Sequence, residues 1–216
     1  MILAIFDLDS TLINGDSDHA WGEFLAHKNI VGQDYRQGND RFYADYKAGR
    51  LDMAAYIEFL LQPLMQFDWS QLNALRQEFV QTMIEPMRLP RAEKLLASHR
   101  DRGHTLLIIT STNRIITEPI AALLGVDHLL ATDLEISQNR LTGRMSGTPC
   151  FHCGKVSRLE DWLERTGHSL KGSFFYTDSH TDLPLLKIVD NPVAVDPDPD
   201  LAATARARGW PVISLR

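Results

Sequence analysis

The chain has 216 residues, 44% hydrophobic and 23% charged, with 22 Lys plus Arg against 28 Asp plus Glu and a formal charge of −6. That mixture suits a globular protein of one domain, or one core with a modest insertion, and its charge argues against nucleic acid or an anionic membrane as a bulk electrostatic partner. No apolar run approaches the ~18 residues of a membrane span, and the N-terminus lacks the basic region of a leader, so the expectation is a cytoplasmic protein with no membrane contact.

Residues 2–6 are a continuous apolar run that reads as a buried strand. The run stops at Asp7-Leu8-Asp9-Ser10-Thr11. Residues i and i+2 of a strand point to one side, so Asp7 and Asp9 can aim at one place past the strand's end. Two carboxylates that close repel each other, and a hard divalent cation with oxygen ligands, such as Mg²⁺, is the simplest remedy. Taken alone, the pair reads more readily as an acidic turn after a strand.

Asn14-Gly15-Asp16-Ser17-Asp18 is a turn and helix-start cluster. Residues 17–85 then read as helical. Met53, Tyr56, Ile57, Leu60, Leu61 and Leu64 recur at helical spacing, as do Leu72, Leu75, Phe79 and Met83. No strand pattern interrupts the segment, which reads as a helical insertion with its own small core. Pro90 opens a further helix running to about Arg102. Residues 105–109 form a second buried strand, ending in Thr110-Ser111-Thr112-Asn113. A helix follows with Ile116, Ile120, Leu123 and Leu124 on one face. Residues 128–131 read as a third strand and 133–145 as a hairpin turning at Gln138-Asn139. A helix over 155–166 turns Val156, Leu159, Trp162 and Leu163 inward. The fourth strand, 173–177, ends in Asp178-Ser179-His180-Thr181-Asp182. A short helix, a strand near 192–195, a helix near 199–207 and a last strand at 211–214 complete the chain.

Cys150 and Cys153 stand in Cys-Phe-His-Cys. Such a pair is redox-active or half a zinc site in other settings. With His152 it supplies three zinc ligands and leaves the fourth unexplained, so these read mainly as loop cysteines without a catalytic role.

Strands alternating with helices indicate an α/β fold, a doubly wound parallel (Rossmann-like) sheet. Ligands bind such sheets outside the carboxyl ends of the strands. Asp7 and Asp9 follow the first strand, Thr110 the second and Asp178 the fourth, so the polar residues collect at that edge.

In this order and context the residues resemble the haloacid dehalogenase (HAD) superfamily, on its phosphatase side. The first motif of that family, DxDx(T/V), matches residues 7–11. Its second, a Ser or Thr ending an apolar strand, matches Thr110, with Ser111 open for the same role because the Thr-Ser-Thr run leaves the register uncertain by one. Its lysine at a helix start matches Lys155, and its DxxxD matches Asp178 and Asp182. The nearest branch is similar to the phosphoserine phosphatases. The resemblance implies a core of residues 1–14 and 89–216 with a helical cap domain inserted at 15–88. It implies Asp7 as nucleophile and Asp9 as general acid and base. Mg²⁺ is then held by Asp7, Asp178 and the backbone carbonyl of Asp9. Lys155 balances charge on the nucleophile and the phosphate, Thr110 or Ser111 holds a phosphoryl oxygen, and Asp182 orients Lys155 or a metal-bound water. Thr110 is otherwise a helix cap, and Lys155, Asp178 and Asp182 are otherwise ordinary surface or helix-start residues. Arg114, His152 and His180 are near enough in the chain to reach the site and are assigned nothing.

The implied activity is Mg²⁺-dependent hydrolysis of a small phosphomonoester, with transfer to an alcohol acceptor as the alternative. Dehalogenases of the family usually lack the second aspartate, so Asp9 and Asp178 argue against that chemistry. Intact acidic motifs argue against an inactive binding module. In the cap, Asp16 stands where phosphoserine phosphatases carry a glutamate, and Glu58 falls near the place of their carboxylate-binding arginine, with Arg50 as a possible substitute. Loss of a guanidinium–carboxylate contact costs specificity. This weakens phosphoserine as substrate and leaves room for an amino-alcohol phosphate such as histidinol phosphate, whose ammonium Asp16 can meet. The oligomeric state is left open.

Overall fold

The computed structural model describes residues 2–216. In chain order its strands are β1 (Leu3–Phe6), β2 (Thr105–Asn113), β3 (His128–Ser137), β4 (Arg140–Ser146), β5 (Phe174–Thr177), β6 (Asn191–Val195) and β7 (Val212–Ile213). Its helices are α1 (Ser17–His27), α2 (Gln33–Lys47), α3 (Met53–Leu61), α4 (Trp69–Phe79), α5 (Pro90–Asp101), α6 (Arg114–Leu123), α7 (Cys153–Thr166), α8 (Leu183–Leu186) and α9 (Pro199–Arg208).

The seven strands form one sheet in the order β4-β3-β2-β1-β5-β6-β7. β1 is central and wholly buried, which explains its unbroken apolar sequence. It pairs in parallel with β2 (Phe6 opposite Ile108) and with β5 (Phe6 opposite Tyr176). The strand order reverses beside β1, so its carboxyl end lies at the switch point where a crevice opens. One apolar layer, with Leu3, Ile5, Leu107, Phe175 and Leu159, packs beneath α7. The other holds Phe6, Ile108, Ile116 and Ile120.

Two strands run further than their patterns suggest. β2 continues to Asn113, with a register shift against β3 after Ile109. There the Thr112 N–H is taken by Thr110 Oγ1 (3.2 Å) and Ser111 O accepts from Thr132 Oγ1 (2.8 Å). Polar side chains thus replace regular ladder bonds, so the strand survives a stretch that reads as its end. β3 is likewise one strand, parallel to β2 at first and then antiparallel to β4. The hairpin turns at Gln138 and Asn139, both at positive φ (47° and 63°), the geometry of a tight hairpin turn.

The chain leaves the sheet after β1 and returns where Ile13 bridges Arg88. The helices between do not enclose a core of their own, contrary to the expectation from periodicity. Trp21, Phe24, Phe79 and Ile84 merge into the same apolar layer as Ile115, Ile116 and Ile120. The buried Arg76 of α4 explains the docking: its Nε donates to Ile115 O (2.6 Å) and its guanidinium pairs with Glu118 (2.6 Å), both on α6. α1 and α2 approach closely at Gly22, where a Cβ would lie 2.3 Å from the Asn39 side chain.

Candidate active site

Asp7 directly continues β1, and its N–H donates to Tyr176 O (2.8 Å). Its buried carboxylate accepts at Oδ1 from Lys155 Nζ (2.9 Å). The same ammonium donates to Asp182 Oδ2 (2.8 Å), which also accepts from Thr177 Oγ1 (2.7 Å). A strand-end threonine therefore fixes Asp182, and Asp182 fixes the lysine. Lys155 is the third residue of α7, which starts two residues before the expected place. Its entry is tight: His152 lies at φ 49°, and a Cβ on Gly154 would sit 2.1 Å from Pro149 O. Only a glycine tolerates that approach, and it lets the helix begin close enough for Lys155 to reach Asp7.

Asp9 is held from two other elements. Its Oδ1 accepts the Ser17 N–H at the start of α1 (2.6 Å), and its Oδ2 accepts Thr112 Oγ1 from β2 (2.9 Å). A helix N-terminus favours an anion there. Thr11 ties the β1 loop to the β5 loop: its hydroxyl donates to Asp178 Oδ1 (3.2 Å) and accepts from the Asp178 N–H (3.1 Å).

Burial pushes the Asp7 carboxyl up to about 7, against the pull of Lys155. Burial also pushes Asp9 up to about 7, aided by Asp16. Asp178 is raised to about 8, by burial first and then by Asp7 and Asp182. Burial would lower Lys155, but Asp182 and Asp7 hold it above the ordinary lysine range. Asp7 and Asp182 are thus among the charges that act on Asp178. Lys155 partners Asp7 and Asp182, whereas Asp178 has a hydroxyl partner rather than a cation. Among the described residues no three His, Cys, Asp or Glu side chains form a metal-holding group. Two carboxylates plus a main-chain carbonyl are a smaller, all-oxygen set, and that donor chemistry fits Mg²⁺ with water completing its shell.

Asp9 and Asp178 open onto a crevice lined also by Ser10 on the sheet side and by Asp16, Tyr46 and Lys47 opposite. A second, narrow pocket lies between the inserted helices and the Ser111-Thr112 stretch of β2. Asp16, Tyr43 and Tyr46 line both. Asp16 also caps α1, accepting the His19 N–H (2.8 Å).

The structure thus brings together Asp7, Asp9, Lys155, Asp178 and Asp182, with Asp16 at the mouth. Thr110 is buried within β2, three residues before its end, and Ser111 lines the second pocket. Arg50 and Glu58 are elsewhere. Arg50 is exposed and paired with Asp45 (3.1 Å), and Glu58 lines a separate surface groove with Arg41 and Arg144. Neither borders the crevice or the cavity, because the turn after α2 points Arg50 outward and Glu58 lies on the outer side of α3. Arg114 pairs with Asp133 (2.5 Å), and His180 with Asp198 (2.8 Å) at the crevice rim. Cys150 is buried with its Sγ near Leu130 O (3.7 Å), while Cys153 is exposed at the start of α7. Sequence reasoning missed Thr11, Thr112, Asp18, Tyr46 and Lys47. Thr11 stood within the quoted motif and Asp18 within the helix-start cluster. Tyr46 and Lys47 carry no signal, since a helix pattern does not reveal which turn faces the sheet.

The model of the haloacid dehalogenase-like hydrolases matches residues 4–187. A histidinol-phosphatase of Neisseria meningitidis is 42% identical over 99% of both chains. A Bordetella pertussis protein of unknown function has a solved structure with TM-score 0.93 and 41% identity, covering 99% of this chain and 98% of that one. A substrate-bound phosphoserine phosphatase shares the fold at TM-score 0.70 and 18% identity, covering 100% of this chain and 93% of that one. On this family match, with the motif residues gathered at one sheet edge, the chain belongs to the haloacid dehalogenase-like hydrolase family, on its phosphatase side.

Proposed function

We propose that this phosphatase hydrolyses a small phosphomonoester with Mg²⁺ through an aspartyl-phosphate on Asp7, and that its substrate is an amino-alcohol phosphate such as histidinol phosphate. Asp7 keeps one oxygen on Lys155 and has the other for attack on phosphorus. As the bond from phosphorus to the substrate oxygen breaks, Asp9 gives that oxygen a proton and an alcohol leaves. Asp9, now a carboxylate, takes a proton from water as that water attacks the acyl-phosphate, releasing inorganic phosphate and restoring Asp7. A carboxyl raised to about 7 suits a group that must serve as acid and then as base. Lys155, with Thr110 or Ser111, steadies the phosphoryl oxygens. Asp7, Asp178 and the Asp9 carbonyl would hold Mg²⁺, which would supply positive charge where an anionic nucleophile meets a phosphate dianion.

The observation that carries this reading is Lys155 bridging Asp7 and Asp182, with Asp9 secured by separate donors at the same crevice. The substrate rests on Asp16 at the crevice, on Arg50 and Glu58 lying away from it, and on the Neisseria relative. The test is hydrolysis of histidinol phosphate and phosphoserine by the wild type and Asp7→Asn, with and without Mg²⁺. Expected are a preference for histidinol phosphate of about tenfold or more and a loss of about a thousandfold or more in Asp7→Asn. Faster hydrolysis of phosphoserine overturns the substrate, and an active Asp7→Asn overturns the mechanism.

A further inference from the structure

The second pocket, between the inserted helices and β2, has a composition the catalytic steps do not use. Its walls include Asp16, Asp18, Phe42, Tyr43, Tyr46 and Tyr56. No Lys or Arg lines it, and its one histidine, His19, is bonded to Asp40 (2.8 Å). Neither Asp16 nor Asp18 forms an ion pair among the described residues. Asp18 Oδ1 accepts from Asn113 Nδ2 (3.2 Å), and Asn113 Oδ1 in turn accepts the Ile116 N–H (3.3 Å) at the start of α6. The second carboxylate is therefore anchored to the sheet side of the molecule rather than riding on a free helix face. Burial holds its carboxyl well above the usual range, with Asp16 and Asp9 adding to the effect. Two acidic groups and aromatic walls attract a cation, and two of the rings already hold one from outside the lining: Lys47 Nζ lies 4.3 Å from the Tyr43 ring centre and the Arg41 guanidinium 5.5 Å from that of Phe42.

The cavity adjoins the chemistry. Asp16, Tyr43 and Tyr46 line it and the crevice alike. Thr112, which holds Asp9, forms part of its floor. Asp9, the acid of the proposed first step, lines the crevice and is held by Thr112 of this pocket, so the pocket adjoins the place where the alcohol leaves.

We infer that Asp18 is a specificity-determining residue: with Asp16 it brackets the ammonium group of the leaving alcohol, the tyrosine and phenylalanine walls receive a flat ring, and a substrate carboxylate is repelled. This rests on the phosphatase reading above. It goes beyond it by giving the discrimination to a side chain outside every family motif and by explaining rejection as well as acceptance.

The test compares wild type, Asp18→Asn and Asp18→Glu on histidinol phosphate and p-nitrophenyl phosphate with Mg²⁺. In Asp18→Asn the ratio of kcat/KM for histidinol phosphate to that for the aryl phosphate should fall about tenfold or more, chiefly through KM, and Asp18→Glu should recover part of it. An unchanged ratio, with both substrates affected equally or not at all, overturns the inference. A second measurement needs no variant: histidinol should inhibit aryl phosphate hydrolysis at least about tenfold more strongly than histidine, which differs by a carboxylate. Equal inhibition overturns it. No hydrolysis of p-nitrophenyl phosphate by wild type sinks the phosphatase reading and this inference with it, whereas hydrolysis with an unmoved ratio sinks the inference alone.

Discussion

Lys155 shows how much one buried charge holds in place. It lies between Asp7 and Asp182, all three nearly inaccessible to water. Removing one partner from a buried pair leaves the other charges uncompensated, at a cost of about 3–5 kcal/mol. Lys155→Ala should therefore lower stability by that order in urea melts and remove nearly all activity. A soluble, stable and active Lys155→Ala would contradict the role given to it. The carboxylates beside it yield a second expectation. Asp7, Asp9 and Asp178 are raised to about 7, 7 and 8 from 3.8. A raised folded pKa adds stability in full below the unfolded value, and that contribution is lost as pH rises through the folded one. Metal-free protein therefore loses this contribution between about pH 4 and 8. Mg²⁺ held there as proposed would take the deprotonated forms, so its affinity should rise from about pH 6 to 8 with proton release. Calorimetry in two buffers of different ionisation enthalpy measures this, and an affinity flat with pH would count against the shared carboxylate site.

At the scale of elements, the inserted helices are held to the sheet side by packing and by one arginine. Arg76 is 4% exposed, and its bond to Ile115 O lies inside the structure. Arg76→Ala leaves that carbonyl unpaired and opens space under Trp69, over whose ring the guanidinium sits at 5.2 Å. The expected loss is about 1–3 kcal/mol in urea denaturation. The periodicity of α3 and α4 was legible because helical spacing repeats along the chain. Their partner was not, because an apolar stripe does not say what covers it. The same limit hid the full length of β2. Thr110 to Asn113 is a polar run that reads as a strand end, and it becomes strand because β3 and its Thr132 lie alongside.

For the molecule as a whole, the chain's own order determined a great deal. Alternating apolar runs and amphipathic helices imply a parallel sheet, and parallel sheets put their polar strand ends on one edge. Asp7, Asp9 and Asp178 were readable from that logic, since each follows a strand, whereas Lys155 and Asp182 were reached only through the family resemblance. Tertiary structure alone decided the substrate side. Arg50 and Glu58 were placed by counting along a helical segment, and the fold turned both away from the crevice. Asp18, Tyr46 and Lys47 came to line the cavities without any motif. The reason is physical. Catalytic groups at strand ends are positioned by backbone hydrogen bonding that local sequence announces. The walls of a chamber between helices depend on which faces pack together, and that is settled by burial summed over the whole chain.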